Sequence, residues 1–341
     1  MPASGTLLMT GELPNGSAVV DVHAHFVPMG LVERLVESTG PGVSVRTHGD
    51  GQYSFEIERS LPTRVLPPRL IDLEMRQQWL DEQGIDLQVL GTWADIFGYG
   101  LPSDQGVEWA RLVNKTLIEA ISGSSRFAAF ATLPMQDPKQ AAEMISEVIE
   151  QGFVGVTVAA RIGEVELDSP ELEIFWQSLD ESEATVFIHP GYAPDEPRTA
   201  EYGMVNSVGR PVDTTIAVSR LLGAGVPQRH PRAKILLAHG GGAVAFILGR
   251  LQRNFELDPS VGDPGDGIGR LYYDSVVFEP DALCYLVAKA GPSHVMLGSD
   301  YPFPIGDPTP REVVNSAGCL SDEDRHLILG GAAASLLGIG G

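Results

Sequence analysis

The chain is predicted to be an α/β protein folded as a (β/α)8 barrel of the TIM type, with a small insertion after the first strand. Eight short apolar segments alternate with amphipathic segments of helical period, as strands and helices do in such a barrel. The alternative α/β fold is a doubly wound open sheet. It is disfavoured because no glycine-rich phosphate loop follows the first apolar segment.

The elements follow in order along the chain. The predicted strands are residues 18–20, 87–90, 127–131, 154–158, 184–188, 233–238, 271–277 and 295–297. The predicted helices are residues 30–36, 70–84, 106–121, 138–150, 170–183, 211–223, 243–255, 281–290 and 321–337. Gly84 is the expected C-cap of the second helix and Ser169 the expected N-cap of the fifth.

Two segments stand outside this alternation. Residues from about 41 to 68 are irregular, and the polar alternation of residues 52–58 indicates a small hairpin inserted there. Residues 1–17 are rich in glycine, proline and serine and lack the basic start of a signal peptide, so we expect a flexible N-terminal arm. Residues 18–341 are then a single barrel domain.

Composition and charge limit the possible partners. Of the 341 residues, 43% are hydrophobic and 20% charged, as in an ordinary globular protein, and no apolar stretch approaches the roughly 20 residues of a membrane helix. The net charge of −22 argues against nucleic acid or an anionic membrane as partner. The two cysteines, Cys284 and Cys319, form no CxxC pair, so we expect no disulfide framework and a cytoplasmic location.

Histidine and aspartate residues follow the apolar strands at their carboxyl ends. They are His23 and His25 after the first strand, His189 after the fifth, His239 after the sixth and Asp300 after the eighth. Residues two apart on an extended chain point to the same side, and the carboxyl ends of barrel strands form one face, where active sites lie. The pattern therefore predicts one metal site, although for any single histidine a packing role is the simpler interpretation.

His23, His25, His189 and Asp300 are expected to hold the ion and to leave one coordination position open for water or substrate, as in a catalytic metal site. This donor set suits Zn²⁺, with Mn²⁺ or Fe²⁺ possible. His239 is expected to move protons beside it. Residues 240–242, three glycines, are either a flexible turn or an anion-binding helix start. A non-enzymatic, metal-binding structural barrel is the remaining alternative.

Five sequence motifs carry a family resemblance. They are DVHAHFVP at positions 21–28, ATLPMQDP at 131–138, IHP at 188–190, AHGGGA at 238–243 and LGSDYPFP at 297–304. In this order they resemble the amidohydrolase-related (amidohydrolase 2) decarboxylases, and within them the aminocarboxymuconate-semialdehyde decarboxylase branch. The resemblance extends from residue 18 to the end of the chain.

The resemblance implies a mononuclear zinc enzyme that removes a carboxylate non-oxidatively from an unsaturated or aromatic carboxylic acid. It implies that His23, His25, His189 and Asp300 are the metal ligands and that His239 is the general acid/base, with Asp300 also catalytic. It further implies a homodimer in which Arg250 binds substrate in the neighbouring subunit's site; taken alone, Arg250 is simply a charged residue on a helix. Relatives also hydrolyse or hydrate ring-cleavage products with the same metal, so a hydrolase or hydratase is the alternative.

Two departures from the family pattern concern the substrate. The family has an arginine in the insertion after the first strand, but Glu56 stands there, and Arg59 or Arg64 is expected to replace it. The aromatic segment after the fifth strand is replaced by one that ends in Asn206, which we expect in the pocket wall. Trp93, after the second strand, either supplies an aromatic wall or packs under a loop. The substrate is therefore expected to differ from that of the family pattern.

Overall fold

The barrel is built from parallel strands that pair in sequential order. The computed structural model describes residues 18–38, 40–191 and 197–339, so the arm expected for residues 1–17 lies outside it. Within these ranges the sheet consists of β1 (Val20–Phe26), β2 (Leu87–Thr92), β3 (Phe127–Thr132), β4 (Gly155–Ala159), β5 (Thr185–His189), β6 (Lys234–Leu237), β7 (Leu271–Asp274) and β8 (Val295–Met296). The first and last strands are joined as well: the backbone N–H of Val22 on β1 donates to the carbonyl of Leu297, directly after β8, at 2.9 Å. The predicted (β/α)8 barrel is confirmed.

Helices connect the strands. In the described part of the chain they are α1 (Met29–Glu37), α2 (Pro68–Ile71), α3 (Leu73–Gln83), α4 (Ser103–Ile121), α5 (Pro138–Glu150), α6 (Glu173–Glu181), α7 (Arg210–Gly223), α8 (Val226–Arg229), α9 (Val244–Leu257), α10 (Pro264–Ile268), α11 (Pro280–Ala290), α12 (Pro310–Ser316), α13 (Asp322–His326) and α14 (Ala332–Leu337). Gly84 caps α3 with a φ of 61°, as predicted. The Ser169 prediction was wrong: its side chain makes no capping hydrogen bond, because a 3-10 turn at Pro170–Leu172 precedes α6.

The insertion after β1 contains the predicted hairpin. Its strands, Val43–His48 and Gln52–Ile57, pair in antiparallel register with Val43 opposite Ile57. Phe55 is fully buried and belongs to a hydrophobic cluster that also contains Trp93 and Trp109. The hairpin is thereby fixed beside the residues that follow β2.

The barrel interior is apolar at its amino-terminal end. Val22, Phe130, Phe187 and Met296 from different strands pack there with the closing helix α14, and all four are at most 1% exposed. The predicted site residues lie beyond this apolar end, towards the carboxyl ends of the strands. No helix in the described ranges is long and apolar enough to cross a membrane.

The cysteines correct one expectation. Cys284 on α11 and Cys319, which lies between α12 and α13, form a disulfide with Cα atoms 5.9 Å apart. The two are 35 residues apart in sequence, and α12 packs back against α11 between them. Sequence spacing alone does not show that contact, so the expectation that the cysteines form no disulfide was wrong.

Candidate metal centre

The five residues predicted at the strand ends meet in one buried cluster. His23, His189, His239 and Asp300 each offer a donor atom, and these atoms lie within 4.8 Å of one another. His25 Nε2 lies 3.3 Å from His23 Nε2 and 3.1 Å from Asp300 Oδ1. Phe187, at the end of the apolar interior, packs edge-on against the His23 ring with centroids 4.9 Å apart.

Hydrogen bonds to their second ring nitrogen orient two of the histidines. His189 Nδ1 lies 2.8 Å from the carbonyl of Pro190, which only accepts hydrogen bonds, so Nδ1 carries the proton and Nε2 keeps its lone pair. His23 Nδ1 lies 2.5 Å from Asp274 Oδ2, which keeps a proton on Nδ1 and leaves Nε2, on the side of Asp300, as the nitrogen for a cation. A metal-binding histidine needs this arrangement of proton and lone pair.

Burial and charge set the protonation of the cluster. Burial lowers the pKa of His25 and lowers that of His189 well below its usual range, which favours the neutral imidazole that a metal needs. Burial opposes ionisation of Asp300, but the charge of His23 and the close approach of the neighbouring histidines hold the pKa of that carboxyl well below its usual range. Burial also opposes a charge on His23, yet Asp300 and Asp274 raise its pKa to about 10. A metal cation bound at His23 Nε2 would take the place of the proton that the raised pKa implies on this nitrogen.

Two donor atoms that face the cluster lack partners, which fits a bound cation. Among the described residues, His189 Nε2 and Asp300 Oδ1 are buried without a hydrogen bond. Leaving a buried polar atom unpaired costs about 1–3 kcal/mol, so the two together point to a missing partner. Buried imidazole nitrogens and a carboxylate are the donor set of zinc and similar divalent ions.

A buried polar network supports the cluster from below. Asp21 accepts hydrogen bonds from the backbone N–H of His23 (3.0 Å) and from the Ser299 hydroxyl (2.5 Å). Gln88 donates to Asp21 at 2.7 Å and accepts from the guanidinium of Arg76 at 2.7 Å. Burial raises the pKa of Asp21 to about 6 despite these bonds. The network ties β1, β2 and the segment after β8 together beneath the candidate site.

Two residues of the cluster have unusual backbone conformations. His239 and Asp300 have φ values of 55° and 58°, in the left-handed region that non-glycine residues rarely adopt. Strain of this kind is typical of functional sites. Gly240 and Gly241, which follow His239, have φ values of 59° and 72° and turn the chain towards α9.

A cavity of about 320 Å³ opens onto the cluster. His189, His239 and Asp300 line its base, while its walls are formed by Arg64, Trp93, Ala94, Asn206, Arg210, Phe303, Pro304 and Ile305. The predicted wall residues Trp93 and Asn206 are therefore both at the cavity.

Two arginines bring positive charge to the cavity. The guanidinium carbon of Arg64 lies 5.3 Å from the ring centroid of Trp93 and 4.9 Å from that of Phe303. Its Nε is 3.9 Å from the carboxylate of Asp95. Arg210 donates to the Asn206 side chain at 3.0 Å and to the carbonyl of Gly191 at 3.1 Å.

Other residues differ from the sequence expectation. Arg59 is exposed and does not line the cavity, whereas Arg64, the other arginine named for this role, does. Arg250 is exposed on α9, away from the cavity of its own chain. Arg210 and Asp274 were not singled out from the sequence. A signal existed for Asp274, an acidic residue after the apolar run of β7, but the strand was predicted to continue through it.

The fold and the cluster define the protein as a (β/α)8-barrel enzyme with a centre suited to one divalent cation. Residues 20–339 match the model of the Amidohydrolase family, and the chain belongs to that family. It is 30% identical over 333 residues to 2-amino-3-carboxymuconate-6-semialdehyde decarboxylase from Dictyostelium discoideum, covering 95% of this chain and 92% of the relative. The family expected from the sequence motifs is confirmed.

Solved structures agree on the fold. The 5-carboxyvanillate decarboxylase from Sphingomonas paucimobilis superimposes with a TM-score of 0.78 at 23% identity, covering 95% of this chain and all of that one (100%). The dihydroxybenzoic acid decarboxylase from Polaromonas, solved with manganese and 2-nitroresorcinol, gives a TM-score of 0.76 at 22% identity, covering 95% and 97%. These relatives are decarboxylases that act on carboxymuconate or aromatic acids.

Proposed function

We propose that this protein is a metal-dependent, non-oxidative decarboxylase of an unsaturated or aromatic carboxylic acid. The observation that carries the proposal is the cavity of about 320 Å³, which joins a cation-binding cluster at its base to an aromatic wall and two guanidinium groups. A planar acid would find in it an apolar surface for its ring, cations for its carboxylate and an imidazole for proton transfer.

We assign His23, His25, His189 and Asp300 as the residues that hold the cation. The proposed ion is Zn²⁺; Mn²⁺ and Fe²⁺ suit the same donors, and the Polaromonas relative was solved with manganese. When bound, the cation supplies Lewis-acid stabilisation of the negative charge that develops on a substrate oxygen.

His239 is assigned as the proton donor rather than as a ligand. Its side chain is 14% exposed, compared with 7% for that of Asp300, and it faces the cavity. It would deliver a proton to the substrate carbon that bears the carboxylate. The bond from that carbon to the carboxylate then breaks, carbon dioxide leaves, and the bonding electrons return to the unsaturated system of the substrate.

Arg64 and Arg210 are assigned to substrate binding, with Trp93 and Asn206. Guanidinium groups bind carboxylates through paired, charge-assisted hydrogen bonds, and a pair at the cavity offsets locally the net charge of −22. Asp95 lies beside Arg64. Burial raises the pKa of the Asp95 carboxyl, and the charges of Arg210 and Arg64 oppose that rise, so both guanidinium groups face this carboxylate. Of the two arginines expected to replace the one missing from the insertion, Arg59 and Arg64, the proposal takes Arg64, which lines the cavity.

We also propose a homodimer in which Arg250 reaches the partner's cavity. Phe246 lies one helical turn before Arg250 on α9 and is 80% exposed. Val212 and Ile216, on the neighbouring helix α7, are 44% and 51% exposed. Exposed apolar side chains of this size on two neighbouring helices are typical of an interface. A second copy of the chain would cover them and carry Arg250 with it.

The proposed location is the cytoplasm. The disulfide between Cys284 and Cys319 is unusual for a reducing compartment, so the location is tested directly. Cell fractionation followed by immunoblotting is expected to recover the protein in the cytoplasmic fraction. Recovery outside that fraction would contradict the proposed location.

The experiment that tests the function is a product assay. The zinc-loaded protein is incubated with 2-amino-3-carboxymuconate semialdehyde, 5-carboxyvanillate and 2,6-dihydroxybenzoate, and both carbon dioxide and product mass are measured. The proposal predicts one carbon dioxide for each molecule of acid consumed. A product that has gained water without release of carbon dioxide would instead identify a hydrolase or hydratase.

A pair of variants tests the assignment of roles. His239→Asn is expected to keep its zinc and to lose about 10²–10⁴-fold in turnover, the usual effect of removing a general acid. His25→Asn is expected to lose zinc. The opposite result, with zinc lost in His239→Asn and kept in His25→Asn, would make His239 the ligand.

A further inference from the structure

Asp274, the last residue of β7, is a buried carboxylate with both oxygens occupied. It is 0% exposed. Its Oδ2 lies 2.5 Å from His23 Nδ1 and accepts the backbone N–H of His239 at 2.9 Å. Its Oδ1 accepts the backbone N–H groups of Gly240 at 2.8 Å and of Val276 at 3.1 Å. One side chain therefore contacts a candidate metal ligand and the loop that carries the candidate proton donor.

The contact with His23 determines which nitrogen faces the cation. A carboxylate at Nδ1 keeps a proton on that nitrogen, so Nε2, which faces Asp300 and His25, is the nitrogen available to a cation. It also fixes the ring plane and makes the imidazole a stronger donor. Without Asp274 the ring could rotate or change tautomer, and the metal would lose an oriented ligand.

The contacts with the loop hold a strained conformation. His239 and Gly240 have successive positive φ values of 55° and 59°. For a non-glycine residue the left-handed conformation costs about 1–2 kcal/mol. In this conformation the two backbone N–H groups converge on one carboxylate, and two charge-assisted hydrogen bonds are sufficient to offset that cost.

We propose that Asp274 is a positioning residue that couples the metal ligand His23 to the loop carrying His239. It contacts neither the cavity nor, on this proposal, the substrate. Its carboxylate sets the tautomer of His23 and the backbone conformation of His239 together, so both are placed relative to the same two oxygen atoms. The part that concerns His239 rests on the proposed function, whereas the part that concerns His23 requires only that the site binds a cation.

The substitution Asp274→Asn tests this role because it preserves shape and removes charge. Asparagine has one acceptor oxygen where aspartate has two. Its NH2 group therefore faces either His23 Nδ1–H or a backbone N–H, so that two hydrogen-bond donors oppose each other. The expected result is a zinc dissociation constant raised about 10–100-fold, the usual effect of losing such a partner of a metal ligand. The measurement is competition with a chromophoric chelator.

Asp307→Asn is the matched control. Asp307 is also a buried aspartate, 8% exposed, and accepts a backbone N–H, that of Thr309, at 2.9 Å. No contact of its side chain with His23 or His239 is found in the described ranges, so zinc affinity should remain at the wild-type value. If Asp274→Asn binds zinc as tightly as Asp307→Asn does, the role of Asp274 at His23 is refuted.

A double-mutant cycle on the metal-free protein tests the loop contacts without any assay of activity. In His239→Gly the left-handed conformation is no longer strained, so Asp274→Asn should lower Tm less in that background than in the wild type. Equal Tm losses in both backgrounds would refute the role at the loop. If Asp274→Asn alone does not fold, zinc competition is performed in the His239→Gly background, where the same 10–100-fold loss is expected.

The cycle and the competition assay separate this proposal from the proposed function. If the wild-type protein releases no carbon dioxide from any acid, the decarboxylase assignment fails while both measurements on Asp274 still apply. If the wild type is active, saturating zinc should not restore the kcat of Asp274→Asn, because His239 remains misplaced. Full recovery of kcat at saturating zinc would refute the coupling.

Discussion

Replacing Arg76 by methionine should destabilise the barrel strongly, although Arg76 lies outside the cavity. Arg76 is fully buried on α3. Its guanidinium donates to the Gln88 side chain at 2.7 Å and to the carbonyl of His25 at 2.5 Å, and it stacks on Tyr301 with 4.6 Å to the ring centroid. Methionine fills most of the same volume, so the main loss is that of charge and hydrogen bonds rather than packing.

The expected loss of stability follows from the polar partners of Arg76 that stay buried after the substitution. Removing one partner of a buried charged network costs about 3–5 kcal/mol, because the remaining polar groups stay buried without compensation. The unfolding entropy of about 2.1 cal/mol/K per residue gives roughly 0.7 kcal/mol/K for 341 residues. The expected decrease in Tm is therefore about 4–7 °C.

The assay is calorimetry on the chelator-treated protein, since bound metal would add its own stabilisation. Arg229→Met is the control: Arg229 pairs with Glu173 at 2.9 Å, but the two side chains are 42% and 48% exposed. Such an exposed pair contributes at most about 1 kcal/mol, or about 1.5 °C on the same scale. If both variants unfold within a degree of each other, the buried network does not stabilise the strands beneath the site, and the reasoning is wrong.

Three further outcomes are expected. Arg64→Met should raise KM for the acid about tenfold or more, since a charge-assisted hydrogen bond contributes about 1.5–3 kcal/mol; steady-state kinetics with an unchanged KM would exclude Arg64 from substrate binding. Phe246→Asp should convert a dimer into monomers in sedimentation velocity, and a dimer that persists would place the interface elsewhere. Gly306→Ala should weaken zinc binding, because its Cβ would lie 2.6 Å from the Asp300 carbonyl. Gly318→Ala, with open space around its Cβ, should leave zinc binding unchanged in the same competition assay.

The sequence was sufficient to predict the fold and the convergence of the five residues of the candidate metal centre. Two physical regularities made this possible. Side chains alternate along a strand, which places His23 and His25 on one side, and parallel barrel strands end at the same face, which brings His189, His239 and Asp300 to them. Neither regularity requires knowledge of how the helices pack.

The residues that the sequence did not reveal depend on contacts between elements distant in the chain. Arg64 rather than Arg59 reaches the cavity because the chain leaving the hairpin returns past Trp93. Arg210 stands at the start of α7, and its approach to the cavity depends on the loop after β5. The pairing of Cys284 with Cys319 depends on how the helices after β7 and β8 pack. Local patterns carry no information on such contacts.

Backbone strain explains why the carboxylates beneath the site matter to its chemistry. His239 and Asp300 both have positive φ values, a backbone conformation that non-glycine residues rarely adopt. Asp274 holds the first through the backbone N–H of His239, and the backbone N–H of Asp300 donates to the carbonyl of His23 at 2.8 Å. His23 is itself held by hydrogen bonds with Asp21 and Asp274. Both residues with positive φ values are therefore positioned relative to His23 on β1. The two side chains whose placement the proposed reaction needs most are thus held by hydrogen bonds to β1 and β7, not by the local preferences of their own sequence.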